Sequence, residues 1–286
     1  MSITIPSLLA KHCTKTVERK AWLAALPDTV QALQRRWGIS LAAPFDHPYV
    51  SCSWVAPAML ADETQAVLKV GMPHMEAEQE MEGLRFWDGD ATVKLLQADQ
   101  TANAMLLERC DPGFALLTVP EADQDLIIAA MLKRLWRKPP PKTFRSLSAL
   151  IAYWSDETRN AQDKWSDPVL VNEGLQMFKT LAAGTSDGVL LATDLHAGNI
   201  LRAQREPWLM IDPKPFVGDP AYDLTQHLLN CDCRLQTEPH ELIERMAGLA
   251  EVDAERLRLW LFARTAAEPR NSWDGWKTQI ARRLSL

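Results

Sequence analysis

The sequence contains no C-x-x-C pair, no run of Lys or Arg longer than two, and no apolar stretch approaching the length of a bilayer span. The first absence, with an odd count of five cysteines, argues against a disulfide framework and for reduced thiols in the cytosol. Cys231 and Cys233 flank Asp232, but no second Cys/His cluster completes a metal site, so buried structural thiols are expected. The second absence, with a formal net charge of −6, disfavours a nucleic-acid partner bound through phosphate neutralisation. The third leaves no transmembrane helix. The opening M-S-I-T-I-P-S-L-L-A-K-H also lacks the basic leader and apolar core of a secretory signal, so the expectation is a cytoplasmic protein with no membrane partner.

What is present suits a packed globular protein: 286 residues with 47% hydrophobic side chains build one large or two modest domains. Eleven tryptophans, spread along the whole chain, are expected in the core or on groove walls. From Thr16 to Trp37 the apolar positions Leu23, Leu26, Val30, Leu33 and Trp37 follow helical spacing, with Gly38 as a stop and Pro27 as a break or second start. Pro48–Pro57 and Glu63–Val70 read as an antiparallel strand pair, followed by a helix from Met75 to Trp87 and strands at Val93–Leu96 and Ala104–Arg109. Beyond the turn signal D-P-G at Asp111–Gly113 the pattern turns helical: Asp123–Trp136, Leu147–Ala161, and Pro168–Leu181 with Asp167 as N-cap. Further helices are read at Leu224–Cys231, Pro239–Leu249, Asp253–Ala263 and Ser272–Leu284. The fold class expected is α+β and two-lobed. Residues 1–110 are expected to form a small antiparallel-sheet lobe behind a leading helical segment, and residues 111–286 a larger, mainly helical lobe.

The chemistry concentrates in T-D-L-H-A-G-N-I-L at Thr193–Leu201 and I-D-P-K-P at Ile211–Pro215. Short apolar β-type runs bracket both, which puts the polar residues on loops at strand ends. Asp194 is placed to accept or orient the proton of an attacking hydroxyl, while Asn199 and Asp212 offer hard oxygens to Mg²⁺ on the phosphates of ATP. Upstream, A-V-L-K-V at Ala66–Val70 matches a strand that presents a lysine to nucleotide phosphates. The rival for Lys69 is an ordinary edge-strand charge. Its carboxylate partner lies among Glu76, Glu78, Glu80 and Glu82, and periodicity does not choose among them. L-L-E-R at Leu106–Arg109 falls where a connecting strand exposes backbone groups to adenine, which makes Glu108 and Cys110 nucleotide-binding candidates.

These segments, with E-M-E-G-L-R-F-W-D-G-D and W-L-M-I-D-P-K-P-F-V-G-D-P-A-Y-D, resemble the aminoglycoside phosphotransferase family and within it the streptomycin 6-kinase and hydroxyurea phosphotransferase branch. The resemblance implies Glu80 as the partner of Lys69, with Glu82 and Glu78 in reserve. It also implies Asp194 as base, Asn199 and Asp212 as metal ligands, and a streptomycin-type aminoglycoside as first-choice acceptor, in the setting of antibiotic resistance. The phosphate loop, Y-V-S-C-S-W-V at Tyr49–Val55, supplies Ser51 and Ser53 but no glycine, so backbone approaches phosphate less freely than in a Gly-rich loop. Thr193 and Ala197 stand where relatives usually carry Gly and Pro.

His196 is a rival base, but Asp already fills that role in kinase chemistry and the imidazole is expected to brace backbone. Asp219 and Asp223 are expected to cap or anchor the helix near Leu224 rather than bind metal. A cationic acceptor calls for carboxylates, and the candidates are Asp156, Glu157, Glu173, Asp232 and Asp274. The alternatives are a kinase for hydroxyurea or another small hydroxylated metabolite, or a nucleotide-binding pseudokinase. A protein kinase is disfavoured because six residues separate Asp212 from Asp219 and no A-P-E segment follows.

Overall fold

In a computed structural model, which describes residues 3–46, 52–183 and 188–285, Pro27 does not break its helix. The segment Val17–Trp37 is one 21-residue helix, capped by the Thr16 hydroxyl on the Arg19 amide and closed by Gly38 at φ 61°. An interior proline costs about 3 kcal/mol. Leu26, Val30 and Leu33, buried on either side of it, each return about 1.5–3 kcal/mol, so packing outweighs the lost hydrogen bond.

Two compact units are formed, the first from Met1–Phe114 with Arg202–Ile211 and the second from Ala115–Leu201 with Asp212–Leu286. The first unit contains α1 (Ser7–Cys13), α2 (Val17–Trp37), β1 (Ser40–Leu41), β2 (Ser53–Met59), β3 (Gln65–Gly71), α3 (Glu80–Trp87), β4 (Leu95–Asp99) and β5 (Ala104–Glu108). The strands form an antiparallel sheet in the order β1-β2-β3-β5-β4. Side chains alternate across a strand. Trp54, Ala56 and Ala58 of β2, Ala66, Leu68 and Val70 of β3, and Ala104 and Leu106 of β5 therefore share one face, buried in a core with Leu9, Leu26, Val30 and Leu33 of α1 and α2. Lys69 falls on the opposite face of a central strand, in register with Val55 and Met105, which removes its reading as an edge charge.

The helix expected from Met75 enters through a 3₁₀ turn at Met75–Ala77 and becomes regular only at Glu80. No side chain caps either start. The return segment Arg202–Ile211 joins the first unit through Arg205, which donates to the carbonyls of Gly89 (2.8 Å) and Thr92 (2.7 Å) and pairs with Glu108 (2.9 Å).

The second unit is mainly helical: α4 (Glu121–Leu135), α5 (Leu147–Asn160) and α6 (Pro168–Ala183) precede the motif loops. In chain order the short strands β6 (Val189–Leu191), β7 (Ile200–Arg202), β8 (Trp208–Met210) and β9 (Phe216–Gly218) follow, β8 within the return segment of the first unit. Then come α7 (Pro220–Asn230), α8 (Asp232–Thr237), α9 (Pro239–Ala250), α10 (Ala254–Ala267) and α11 (Trp276–Leu284). Helix α10 lies against α6, α7, α9 and α11. Gly174 sets the closeness of the α6 crossing, since a Cβ there would meet the Cβ of Ala266 at 2.7 Å. Trp260, Tyr222 and Phe178 stack in this core, Tyr222 and Trp260 edge to face at 5.1 Å. Helix α7 starts at Pro220, ahead of the expected Leu224, because Asp219 caps it and Pro220 takes the first position.

The thiols of Cys13, Cys110 and Cys231 are buried as expected, whereas Cys52 is half-buried and Cys233 is exposed. No helix among the described residues is long and apolar enough to cross a membrane.

Candidate active site

In the first unit the buried Lys69 ammonium sits 2.6 and 2.7 Å from the two oxygens of Glu80. Of the four glutamates, Glu80 therefore holds the lysine with both carboxylate oxygens. Glu82 instead accepts from the Gln100 amide at 2.9 Å, and Glu78 is exposed. A buried ammonium needs such a partner. Ser53 opens β2 opposite Gly71, while Ser51 lies outside the described residues. At the end of β5, burial pushes the Glu108 carboxyl up, but Arg205 and the Lys94 amide outweigh it and hold the group below its ordinary range. Cys110 is buried, and its thiol is pushed up to about 12 by desolvation.

In the second unit β6 pairs antiparallel with β9, Leu191 opposite Phe216. This register places the residues after Leu191 beside those before Phe216, so the D-x-x-x-x-N loop and the D-P-K-P loop leave the ladder at the same end. The Lys214 amide donates to the Ala192 carbonyl at 2.9 Å, and the Thr193 hydroxyl to the Lys214 carbonyl at 2.5 Å. Both loops bend sharply here, with Thr193 at φ 48° and Asp212 at φ 55°. Lys214 forms an ion pair with Asp194 Oδ2, and the Gln226 amide donates to Asp194 Oδ1 at 2.9 Å.

Asp223, fully buried on α7, accepts from the Ala192 amide (2.9 Å), the Thr193 amide (2.6 Å) and the Trp136 indole (3.0 Å). Burial pushes its carboxyl up to about 6 against those donors. Asp219 does cap α7 through the Ala221 amide at 3.0 Å, and it also accepts from Trp260 at 2.7 Å. Asp223 does not cap the helix; it braces the Asp194 loop. His196 accepts the Gly198 amide on Nδ1 at 3.1 Å, and burial lowers its pKa despite the nearby Asp194, so a neutral imidazole shapes the turn. The Asn199 amide nitrogen donates to the Asp194 carbonyl at 3.0 Å. That bond leaves its Oδ1, a hard oxygen suited to a divalent cation, on the other branch of the amide.

Sequence reasoning missed Lys214, Gln226 and the bracing role of Asp223. The available signal was the polar run Asp223, Thr225, Gln226 and His227 interrupting an apolar helix. All five acidic acceptor candidates are exposed. Asp156 pairs with Arg159 (3.0 Å), Glu157 accepts from Tyr153 (2.9 Å), and Asp232 accepts from the Cys233 amide (2.9 Å). Glu173 lies on α6 and Asp274 follows Trp273. None of the five is hydrogen-bonded to Asp194, whose carboxylate is held by Lys214 and Gln226.

Comparison with known proteins adds to this geometry. The family model described as aminoglycoside/hydroxyurea antibiotic resistance kinase matches residues 39–273. The chain is 37% identical over 228 residues to a streptomycin 6-kinase of Streptomyces glaucescens, covering 78% of this chain and 73% of that one. It is 34% identical over 251 residues to a hydroxyurea phosphotransferase of Kitasatospora aureofaciens, covering 86% and 72%. In fold it matches the choline kinase LicA from Streptococcus pneumoniae, with a TM-score of 0.59 at 14% identity over 89% of this chain and 95% of that one. The architecture is therefore kinase-like.

Proposed function

The chain belongs to the aminoglycoside/hydroxyurea antibiotic resistance kinase family, and from that premise we propose that it moves the γ-phosphate of ATP to a hydroxyl of a streptomycin-type aminoglycoside. The observation that carries this reading is the Asp194 carboxylate, pinned at a strand end by Lys214 and Gln226 on a loop braced by Asp223.

The acceptor hydroxyl gives its proton to Asp194 as its oxygen bonds the γ-phosphorus and the bond to the β–γ bridging oxygen breaks, releasing ADP. Lys69, held by Glu80, meets the charge of the nucleotide phosphates. Ser53 and the backbone at Glu108 and Cys110 are assigned to the nucleotide, as is Ser51 from the sequence alone. Asn199 and Asp212 supply the oxygen donors that suit Mg²⁺, which when bound neutralises the phosphate oxygens. Lys214, paired with Asp194, adds a positive charge beside the carboxylate. Asp156, Glu157, Glu173, Asp232 and Asp274 remain the candidates for pairing with acceptor guanidinium groups. The cytoplasm, with its ATP and reduced thiols, is the compartment this reading requires.

The test is phosphorylation by Mg-ATP of streptomycin, hydroxyurea and other small hydroxyl compounds, read by mass spectrometry as the gain of one phosphate. Asp194→Ala is expected to lower turnover by about 10²–10⁴-fold while leaving ATP binding intact. Wild-type turnover in that variant would remove Asp194 from the chemistry. Transfer to hydroxyurea alone would move the acceptor to the alternative suggested by the Kitasatospora relative.

A further inference from the structure

Arg264 has no part in the transfer described above, yet its hydrogen bonds lead to the carboxylate that does. Its side chain is 4% exposed. The guanidinium lies 5.3 Å from the Tyr222 ring centre and 5.4 Å from that of Trp154. Its donors reach Glu268 Oε2 (3.0 Å), Thr225 Oγ1 (2.9 Å) and Gln226 Oε1 (2.9 Å). Packing alone does not call for a charge here, because well-packed apolar side chains of similar volume serve stability as well or better.

A guanidinium only donates hydrogen bonds. The atom of Gln226 that faces Arg264 must therefore be the amide oxygen, and the amide nitrogen is left to face Asp194. It does so, donating to Oδ1 at 2.9 Å. Lys214 holds Oδ2 from the neighbouring loop, so each carboxylate oxygen has a donor on a different element, and the two together fix the plane of the group. With Lys214 alone, Asp194 would be free to turn about its χ2 bond. A misplacement of about 1 Å in a reacting group costs on the order of 10²-fold in rate.

We propose that Gln226 is a positioning residue for Asp194, its amide held in the one useful orientation by buried Arg264. The proposal rests on the reading of Asp194 as the base. Gln226 does not touch the transferring phosphoryl group; it acts through the carboxylate.

Two substitutions separate positioning from support of the core. Gln226→Leu removes both hydrogen bonds at similar volume. Gln226→Glu keeps an oxygen for Arg264 but turns a second oxygen, with no N–H, toward Asp194. ADP release is measured with Mg-ATP and either streptomycin or water as acceptor, alongside thermal unfolding and an Asp194→Asn reference. Both Gln226 variants are expected to lower kcat about 10–100-fold, with KM for ATP and for streptomycin within twofold of wild type. A Gln226→Glu enzyme with wild-type kcat would show that the residue merely supports Arg264, and the proposal falls. A raised KM for streptomycin with intact kcat would make Gln226 an acceptor contact and overturn it equally. If Gln226→Leu does not fold, Gln226→Glu, which retains the Arg264 bond, carries the test alone. Full turnover by Asp194→Asn, or no ADP release by wild type with streptomycin, with water or with hydroxyurea in their place, removes the reading of Asp194 itself; loss in Asp194→Asn with unchanged Gln226 variants removes only the positioning role.

Discussion

Lys69 and Asp223 answer the same problem, an ionised group surrounded by apolar side chains, in opposite ways. Lys69 meets a formal countercharge in Glu80 at hydrogen-bond distance, whereas Asp223 accepts its hydrogen bonds from the N–H dipoles of Ala192, Thr193 and Trp136, with the Arg264 charge acting without a hydrogen bond. Removing one partner of a buried ion pair leaves the other uncompensated, at a cost of about 3–5 kcal/mol. Lys69→Ala and Glu80→Ala are expected to lower both stability and turnover, and a double-mutant cycle on kcat to give a coupling energy well away from zero. Simple addition of the two effects would separate the residues. Asp223→Asn is expected to behave differently, because an amide has one acceptor oxygen for donors that now occupy two. At least one N–H is left buried without a partner, worth about 1–3 kcal/mol. Thermal unfolding should register that loss together with lower kcat, since the disturbed amides belong to Ala192 and Thr193 beside Asp194, the proposed base. Unchanged kcat in a destabilised Asp223→Asn protein would limit Asp223 to the fold. Asp194, Asn199 and Asp212 stand out in the sequence because the chemistry proposed for them calls for Asp, Asn and Asp on loops; the groups that hold Asp194 do not. Gln226 and Arg264 stand 38 positions apart, and only packing of α7 on α10 brings them within hydrogen-bond reach.

Helices of the second unit are tied by charge as well as by apolar contact. Asp125 on α4, fully buried, accepts from His227 on α7 (2.8 Å), Arg234 on α8 (2.9 Å) and Arg245 on α9 (2.7 Å). Burial pushes this carboxyl up, but the three donors outweigh it and hold the group well below the carboxylate range. A depressed acid contributes stability that is complete above its unfolded value of about 3.9 and is lost as pH falls below it toward the folded value. Asp125→Asn is expected to cost about 2–3 kcal/mol at pH 7, less than a wholly buried pair because both guanidiniums keep some water. The difference from wild type should shrink as pH falls below about 4, followed by urea unfolding across that range. A constant difference down to pH 3 would mean that the carboxylate charge is not what binds these helices. Cys231 sits 3.6 Å from His227 in the same cluster, and its thiol, pushed up to about 12 by burial, is an inert wall of it. Of these elements, α4, α7 and α9 were legible from 3.6-residue periodicity. The six-residue α8 was not, being too short for a period to register, and it forms where tertiary ties to Asp125 hold it.

At the scale of the whole molecule, sequence order and spatial grouping part company at Arg202–Ile211, ten residues that lie beyond Asp194 in the chain and yet belong with the first unit. Composition does not mark them; the Arg205 contacts to Gly89, Thr92 and Glu108 do. Charge, by contrast, is legible at this scale from the sequence alone. A net −6 gives the molecule an attractive field for a cation and none for a neutral solute. Streptomycin-type acceptors carry guanidinium groups, and hydroxyurea carries no charge at neutral pH. The carboxylates proposed to receive the former, Asp156, Glu157, Glu173, Asp232 and Asp274, are all exposed, so salt screens them. Raising ionic strength from about 0.01 to 0.15 M shortens the Debye length from about 30 to about 8 Å. KM for streptomycin is therefore expected to rise severalfold over that interval while KM for ATP in the presence of saturating Mg²⁺ changes less. Neutralising at least one of the five carboxylates should raise KM for streptomycin without changing kcat, the mark of lost ground-state binding. A KM for streptomycin that ignores both salt and all five substitutions, in an enzyme that phosphorylates hydroxyurea, would assign the acceptor site to a neutral compound and make the acidic surface a matter of solubility.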